Sequence, residues 1–316
     1  MNIAEPTAEQ FSNPIKAYIA ATRPPFLLAT GMPIFLGLGY SVYDGHAINW
    51  LMAVLTLFAG LLLHAATNVL NDYYDALNGT DDVNQERVFP FTGGSRFIQN
   101  EVLTRKQTLV YGIGLVLAVM TIGIYLISQT GITLFWLGLF GILLGWGYSA
   151  PPLNLNSRGL GELSVLAGFG LLPLGAYLVQ TGALSLPLIL VSLPVGLLTA
   201  NLLYINQFPD RKADIQAHKL HWVARLSPHV ARWGYVLIAL SAWVALLSLI
   251  VAGLLPLLAI ISLLPAVLSI KAARILLQNA ETPQRLAPAI QMTILTMLAH
   301  GALLTLALVV DSLVRV

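Results

Sequence analysis

Four segments of the chain contain no Asp, Glu, Lys or Arg, and together they restrict the fold to one built in a membrane. They are residues 107–157, 163–209, 233–270 and 286–310. A membrane-spanning helix needs about 20 mostly apolar residues, so each of the first three segments holds roughly two spans. Only 9% of the 316 residues are charged, against about 25% in soluble domains. The chain is therefore predicted to be an all-α, polytopic membrane protein.

The pattern of apolar runs predicts nine transmembrane helices in one bundle, residues 25–316, preceded by a polar N-terminal segment, residues 1–24. Short turns separate successive pairs of helices on one side of the membrane, and longer polar loops separate them on the other. The predicted spans are 25–43, 49–70, 108–128, 131–149, 160–180, 184–206, 231–252, 254–272 and 288–310.

The basic residues are distributed very unevenly about these spans. Of the 16 Lys and Arg, all but Arg315 precede the first span or follow an even-numbered one. Basic loops stay in the cytoplasm, so the N-terminus is predicted to be cytoplasmic. The membrane is predicted to be a bacterial inner membrane. The net charge of +2 does not indicate a nucleic-acid partner, and the absence of Cys excludes disulfides and thiolate chemistry.

Two clusters of carboxylates and amides interrupt the apolar sequence, both on the predicted cytoplasmic side. In the first, Asn68, Asp72 and Asp75 share one face of a helix, with Asn71 beside them. A carboxylate next to hydrocarbon is costly unless it is paired or binds a cation. The cluster is therefore a candidate cation site at the end of the second span.

The second cluster repeats this arrangement at the end of the sixth span. Asn206, Asp210 and Asp214 are spaced at i, i+4 and i+8, and Pro209 is predicted to kink or restart the helix there. Mg²⁺ binds through one or two carboxylates together with substrate phosphates and water. Two facing clusters therefore predict Mg²⁺ ions around a diphosphate. The alternative interpretation is that these are charges at helix ends that face headgroup water. That interpretation explains a single Asp better than it explains two matched clusters.

Residues 71–75 and 210–214 resemble the two Asp-rich motifs of the UbiA superfamily of intramembrane prenyltransferases. The resemblance extends over nearly the whole chain, in motif order and in the number of spans. Residues 71–81, Gly93–Arg96 and Gly159–Glu162 are most similar to the branch that prenylates 1,4-dihydroxy-2-naphthoate.

The resemblance implies Mg²⁺-dependent transfer of a prenyl group from a prenyl diphosphate to an aromatic acceptor within the lipid bilayer. For 1,4-dihydroxy-2-naphthoate the prenyl group replaces the ring carboxylate, so CO₂ leaves, as in menaquinone or phylloquinone synthesis. Homogentisate, 4-hydroxybenzoate and a chlorophyllide-type acceptor are alternatives. A secondary transporter is the alternative from a different functional class.

The resemblance also implies roles for individual residues. Asp72, Asp75, Asp210 and Asp214 are expected to be catalytic through Mg²⁺, directly or through water. The amides of Asn68, Asn71 and Asn206 would orient ligands or contact phosphate. Asp81 would extend the metal site or position the acceptor, with a solvated loop charge as the alternative.

Cations and aromatic residues complete the expected site. Family members carry a Tyr and then a Lys after the fourth span. Tyr148 matches the Tyr, but the Lys position is Asn156, so Arg158 is expected to contact the diphosphate, together with Arg96. His64 is predicted to be a hydrogen-bonded interior histidine. The remaining prediction, for His218, His221 and His229, is that they are solvated loop residues.

Overall fold

The computed structural model describes residues 4–315, and within them the chain is helical with no β-strand. Short 3₁₀ turns at 155–158, 257–263 and 283–285 join some of the helices. The α-helices are α1 (Pro14–Ala21), α2 (Pro24–Tyr43), α3 (Trp50–Asn78), α4 (Thr80–Val83), α5 (Arg105–Thr130), α6 (Ile132–Ser149), α7 (Gly161–Thr181), α8 (Leu186–Val191), α9 (Leu193–Gln216), α10 (Trp222–Arg225), α11 (Pro228–Val251), α12 (Ala266–Asn279) and α13 (Ala287–Val314).

Nine helical segments of the described chain are long and apolar enough to cross a membrane, which confirms the predicted number. The sixth is α8 joined to α9, and the eighth is the 3₁₀ turn at 257–263 joined to α12. The others are single helices: α2, α3, α5, α6, α7, α11 and α13. The chain is thus an all-α, multi-pass membrane protein.

Two of these helices continue eight or more residues past their predicted ends, and both carry an acidic cluster. The second span was predicted to end at residue 70, but α3 continues to Asn78. The sixth was predicted to end at residue 206, but α9 continues to Gln216 with Pro209 inside it. The predicted restart at Pro209 is therefore wrong. Each acidic cluster lies on the last three turns of a long helix.

The end of α3 is set by a glycine. Gly79 has φ of +78°, in the left-handed region that glycine adopts without strain. The chain then turns into the short helix α4, which returns Asp81 toward α9. A left-handed residue at this position therefore decides where the next acidic side chain lies.

The centre of the bundle is formed by α2, α7, α9 and α13, which pack directly against one another. The close approach of α2 to α7 requires Gly37, because a Cβ there would lie 2.3 Å from the carbonyl oxygen of Pro173. Small residues allow such close backbone packing between helices in lipid. Around this centre, α3, α5 and α6 form a second group.

The N-terminal segment, predicted to lie outside the bundle, contains α1. Asn13 caps this helix by accepting a hydrogen bond from the Ile15 amide at 2.9 Å. Ala17 and Ala21 of α1 are buried against Phe97 and Leu103, which belong to the loop before α5. The segment therefore packs over the loop that follows the first acidic cluster.

Candidate functional site

The first acidic cluster is buried, and each of its carboxylates has a basic partner. Asp72 pairs with the guanidinium of Arg23 and accepts a hydrogen bond from the Ser95 amide at 3.3 Å. Asp75 lies 2.6 Å from the Nζ of Lys219. It also accepts a hydrogen bond from Asn71 Nδ2 at 3.2 Å. A buried carboxylate with such partners avoids most of the cost of its desolvation.

The second cluster lies on the last turns of α9, facing the first. Asp210 accepts hydrogen bonds from Asn84 Nδ2 at 2.7 Å and from the Gly93 amide at 3.4 Å. Both donors belong to the chain between α4 and α5. Because Ser95 in the same loop binds Asp72, this loop holds one carboxylate from each cluster.

Lys219 links the two clusters directly. Its Nζ lies 2.6 Å from Asp75 and 3.8 Å from Asp214. Burial alone would lower the pKa of Lys219, but the charges of Asp75 and Asp214 outweigh burial and raise that pKa above its ordinary value. Lys219 is therefore a charged ammonium that is shared by Asp75 and Asp214, two residues 139 positions apart in the sequence.

His221 corrects a prediction made from the sequence. It is buried rather than solvated, with 3% of its surface exposed. Its Nδ1 accepts a hydrogen bond from the Ala224 amide at 3.2 Å, which leaves the hydrogen on Nε2 to be donated to Asp214 at 2.9 Å. His221 therefore caps α10 and orients Asp214.

Both clusters open into a cavity of about 570 Å³ that extends into the bundle. Its deeper wall is apolar, as at Ile127, Leu134 and Val179. Its charged end contains most of the residues predicted from the sequence. Those that line it are Asn68, Asn71, Asp75, Asp81, Tyr148, Asn206, Asp210 and Asp214.

Three predicted site residues do not line this cavity. Asp72 lies behind the wall, where it holds Arg23, which does line it. Arg96 donates to the carbonyl oxygen of Asp81 and lies 3.7 Å from Glu5. Arg158 is directed away, because its guanidinium donates to the Pro152 carbonyl at 2.7 Å. The contact of Arg158 with a diphosphate stays a prediction to which this geometry adds no support.

Four residues of the charged end were not predicted from the sequence to belong to the site. Arg23, Asn84, Lys219 and His221 all line the cavity. Asn84 and Lys219 follow the two acidic clusters by nine and five positions, so each comes from the loop after a cluster. Their proximity in sequence to an acidic cluster could have indicated that Asn84 and Lys219 belong to the site.

The charged end has an excess of negative charge. Among the side chains of residues 4–315, the Lys and Arg that pair with the five carboxylates are two, Arg23 and Lys219; the carboxylates are Asp72, Asp75, Asp81, Asp210 and Asp214. Burial, followed by the charges of Asp75 and Asp72, raises the pKa of Asp81 well above its ordinary value. A further cation would relieve this repulsion.

The residues present fit Mg²⁺. Within residues 4–315 no three Asp, Glu or His side chains already converge on one point. The cavity wall nevertheless offers four buried oxygens to which no described residue donates a hydrogen bond. These oxygens are Oδ2 of Asp81, Oδ1 of Asn84, Oδ1 of Asn206 and Oε1 of Gln207. Carboxylate and amide oxygens are the ligands that hard divalent cations take.

Comparison with known proteins agrees with this geometry. The sequence profile of the UbiA prenyltransferase family matches residues 30–298. The 1,4-dihydroxy-2-naphthoate octaprenyltransferase of Escherichia coli (strain K12) is 29% identical over 306 residues, which cover 95% of each protein. The enzyme of the same name from Haemophilus influenzae is 32% identical over 230 residues, covering 69% of this chain and 71% of the relative.

The fold also matches a solved structure. A UbiA homolog from Archaeoglobus fulgidus, bound to DMAPP and Mg²⁺, superposes with a TM-score of 0.65. The match covers 91% of this chain and 98% of that one at 17% sequence identity. At this identity the likeness concerns the arrangement of the helices.

Proposed function

The chain belongs to the UbiA prenyltransferase family, and from this premise we propose that it transfers a prenyl group from a prenyl diphosphate to 1,4-dihydroxy-2-naphthoate. The observation that carries the proposal is the convergence of two acidic clusters at the mouth of an apolar cavity. A prenyl diphosphate has the same two parts, an anionic head and a hydrocarbon chain.

In this proposal the head group is bound at the charged end. Mg²⁺, when bound, neutralises the diphosphate and stabilises it as a leaving group. Asp75, Asp81, Asp210 and Asp214 hold the metal, with help from nearby amide oxygens. Asp72 acts through Arg23, which it orients toward the cavity. The UbiA homolog from Archaeoglobus fulgidus is bound to DMAPP and Mg²⁺, which supports the use of a divalent metal with a prenyl diphosphate.

Lys219 and Arg23 are the cations that contact the diphosphate in this proposal. Both line the cavity, and both are held by carboxylates of the clusters. Preorganised charges of this kind stabilise a leaving group more strongly in a site from which water is excluded. Lys219 thus takes the role for which the sequence suggested Arg158.

The apolar part of the cavity has two functions. It holds the prenyl chain, and it keeps water away from the allylic cation that forms as the C–O bond to the diphosphate breaks. The acceptor ring then supplies the electron pair for the new C–C bond. At the carbon that carries the carboxylate, CO₂ leaves and its bonding pair returns to the ring, so the ring regains its aromatic electrons.

Two relatives named as 1,4-dihydroxy-2-naphthoate octaprenyltransferases support this acceptor over homogentisate or 4-hydroxybenzoate. The secondary transporter considered from the sequence is set aside, because the family is one of enzymes. From the same two bacterial relatives we infer a role in quinone synthesis in the inner membrane of a bacterium. The distribution of the basic residues favours a charged end that faces the cytoplasm.

An acceptor screen tests the proposal. Purified protein is incubated with a prenyl diphosphate, Mg²⁺ and each acceptor in turn, and the product mass is measured. We expect turnover with 1,4-dihydroxy-2-naphthoate and a product that has lost CO₂. Asp210→Ala should remove this activity, as should chelation of Mg²⁺.

Asp311→Ala is the matched control, because Asp311 lies far along α13 and pairs with Arg315 at 2.6 Å. This variant should keep its activity. Turnover only with another acceptor, or a product that retains the carboxylate, would contradict the proposed substrate.

A further inference from the structure

A histidine lies deeper in the cavity than the charged end and has no part in the mechanism above. His64 lines the cavity one helical turn below Asn68. Along α3 it is about 6 Å from Asn68 and about 16 Å from Asp75, at 1.5 Å per residue. In the proposed complex, this position lies deeper in the bundle than the diphosphate and beside the first carbons of the prenyl chain.

The orientation of the imidazole is fixed from the neighbouring helix. His64 Nδ1 lies 2.8 Å from the hydroxyl oxygen of Thr30 on α2. Its ring also meets Phe169 of α7 edge to face, with ring centroids 5.4 Å apart. Contacts with two other helices therefore hold the ring at the cavity wall.

The hydroxyl of Thr30 indicates which ring nitrogen carries the hydrogen. Thr56 and Thr67, which also line the cavity, donate to the backbone carbonyl four residues earlier. Thr30 makes no such bond among the described residues, so its hydrogen is available to His64 Nδ1. With Nδ1 accepting, a neutral imidazole carries its hydrogen on Nε2, and that nitrogen has no partner among the described residues.

We propose that His64 Nε2–H donates a hydrogen bond to an oxygen of the aromatic acceptor and so positions the acceptor ring next to the allylic carbon. This inference depends on the prenyl transfer proposed above. The prenyl chain has no oxygen at this depth, whereas the acceptor carries hydroxyl and carboxylate oxygens. The acceptor must also approach the first carbon of the chain from the side of the cavity below the diphosphate.

The alternative is a purely structural histidine that joins α2 to α3. His300 is an example of such a residue in the same protein. It is fully buried, its Nδ1 lies 3.0 Å from the Ser262 carbonyl, and it does not line the cavity. His64 differs because it borders the space in which substrate would lie.

Steady-state kinetics of three variants test the inference. His64→Leu should raise the KM for the acceptor about ten-fold, the loss of one hydrogen bond, and leave the KM for the prenyl diphosphate unchanged. His64→Gln, which keeps an N–H donor, should restore most of the affinity. Thr30→Val, which frees the ring, should raise the acceptor KM to a smaller extent.

His300→Gln is the matched control and should change neither KM, and the unfolding temperature of each variant in detergent reports on folding. An unchanged acceptor KM in His64→Leu overturns the inference. The inference is also overturned if His64→Leu loses affinity for the acceptor and for the prenyl diphosphate together with thermal stability, and His64→Gln does not restore them. If His64→Leu does not fold, Thr30→Val decides, and an acceptor KM in that variant equal to the wild-type value overturns the inference. Wild-type protein that transfers no prenyl group to any acceptor would instead refute the proposed function.

Discussion

Lys219 is the residue on which the charge balance of the site depends. It is buried and touches both acidic clusters, whereas Lys212, seven residues earlier, is exposed and among the described residues pairs with Glu86 alone. Removal of a buried charge that stabilises a leaving group costs about a hundred-fold in rate. Removal of an exposed ion pair costs little.

We therefore expect Lys219→Met to lower kcat/KM for the prenyl diphosphate about a hundred-fold. Lys219→Arg should recover part of the activity, because it keeps the charge. Lys212→Met is the control and should stay within about two-fold of the wild type. Equal effects of the two Met substitutions would mean that Lys219 has no special contact with the diphosphate.

Single residues also show how far the sequence could predict the site. Spacing alone brought Asp210 and Asp214 to one helix face, because helical geometry is local. The burial of His221 could not be predicted, because it depends on how the loop after α9 packs against a distant part of the chain. In that loop the Leu220 amide donates to the Ser157 carbonyl at 2.9 Å, a contact between distant parts of the chain.

Among the elements, the ends of α3 and α9 were the hardest to predict. An apolar pattern indicates where hydrocarbon ends, not where a helix ends. Both helices continue for about two turns beyond the apolar pattern, and their last turns are polar because they line the charged end of the cavity. Pro209 does not break α9, since tertiary packing supports most helices more than local propensity does.

The loop between α4 and α5 is the element that aligns the two clusters, and Gly94 tests its role. Gly94 has φ of +75°, and a Cβ there would lie 2.6 Å from Asp81 Oδ2. Gly94→Ala should therefore displace the amides that bind Asp72 and Asp210. We expect at least a ten-fold loss of activity in protein that still inserts and folds.

Gly45→Ala is the matched control for backbone strain. Gly45 also has a left-handed backbone, with φ of +84°, but its Cβ would meet no atom within 4 Å. Each substitution should lower the free energy of unfolding by about 1 kcal/mol. An equal loss of activity in both variants would show that strain, and not displacement of the loop, is responsible.

At the scale of the whole molecule, the sequence predicted the number of membrane crossings because each crossing leaves its own apolar run. It also predicted a side for every loop, because 15 of the 16 basic residues fall on the side of the acidic clusters. The sequence could not predict how the helices pack around one cavity. The packing depends on contacts such as Gly37 against Pro173, which join distant segments.

The orientation of the bundle is the last prediction, and the absence of Cys makes it simple to test. Lys106 is exposed near the start of α5, and Gln129 is exposed near its end. Lys106→Cys and Gln129→Cys therefore place one thiol on each side of the membrane, and the parent chain gives no background. In intact bacterial cells a membrane-impermeant maleimide should label only Gln129→Cys, because basic loops stay inside. After permeabilisation both should react. Labelling of Lys106→Cys alone in intact cells would place the acidic clusters outside, where a soluble naphthoate made in the cytoplasm could not reach them directly.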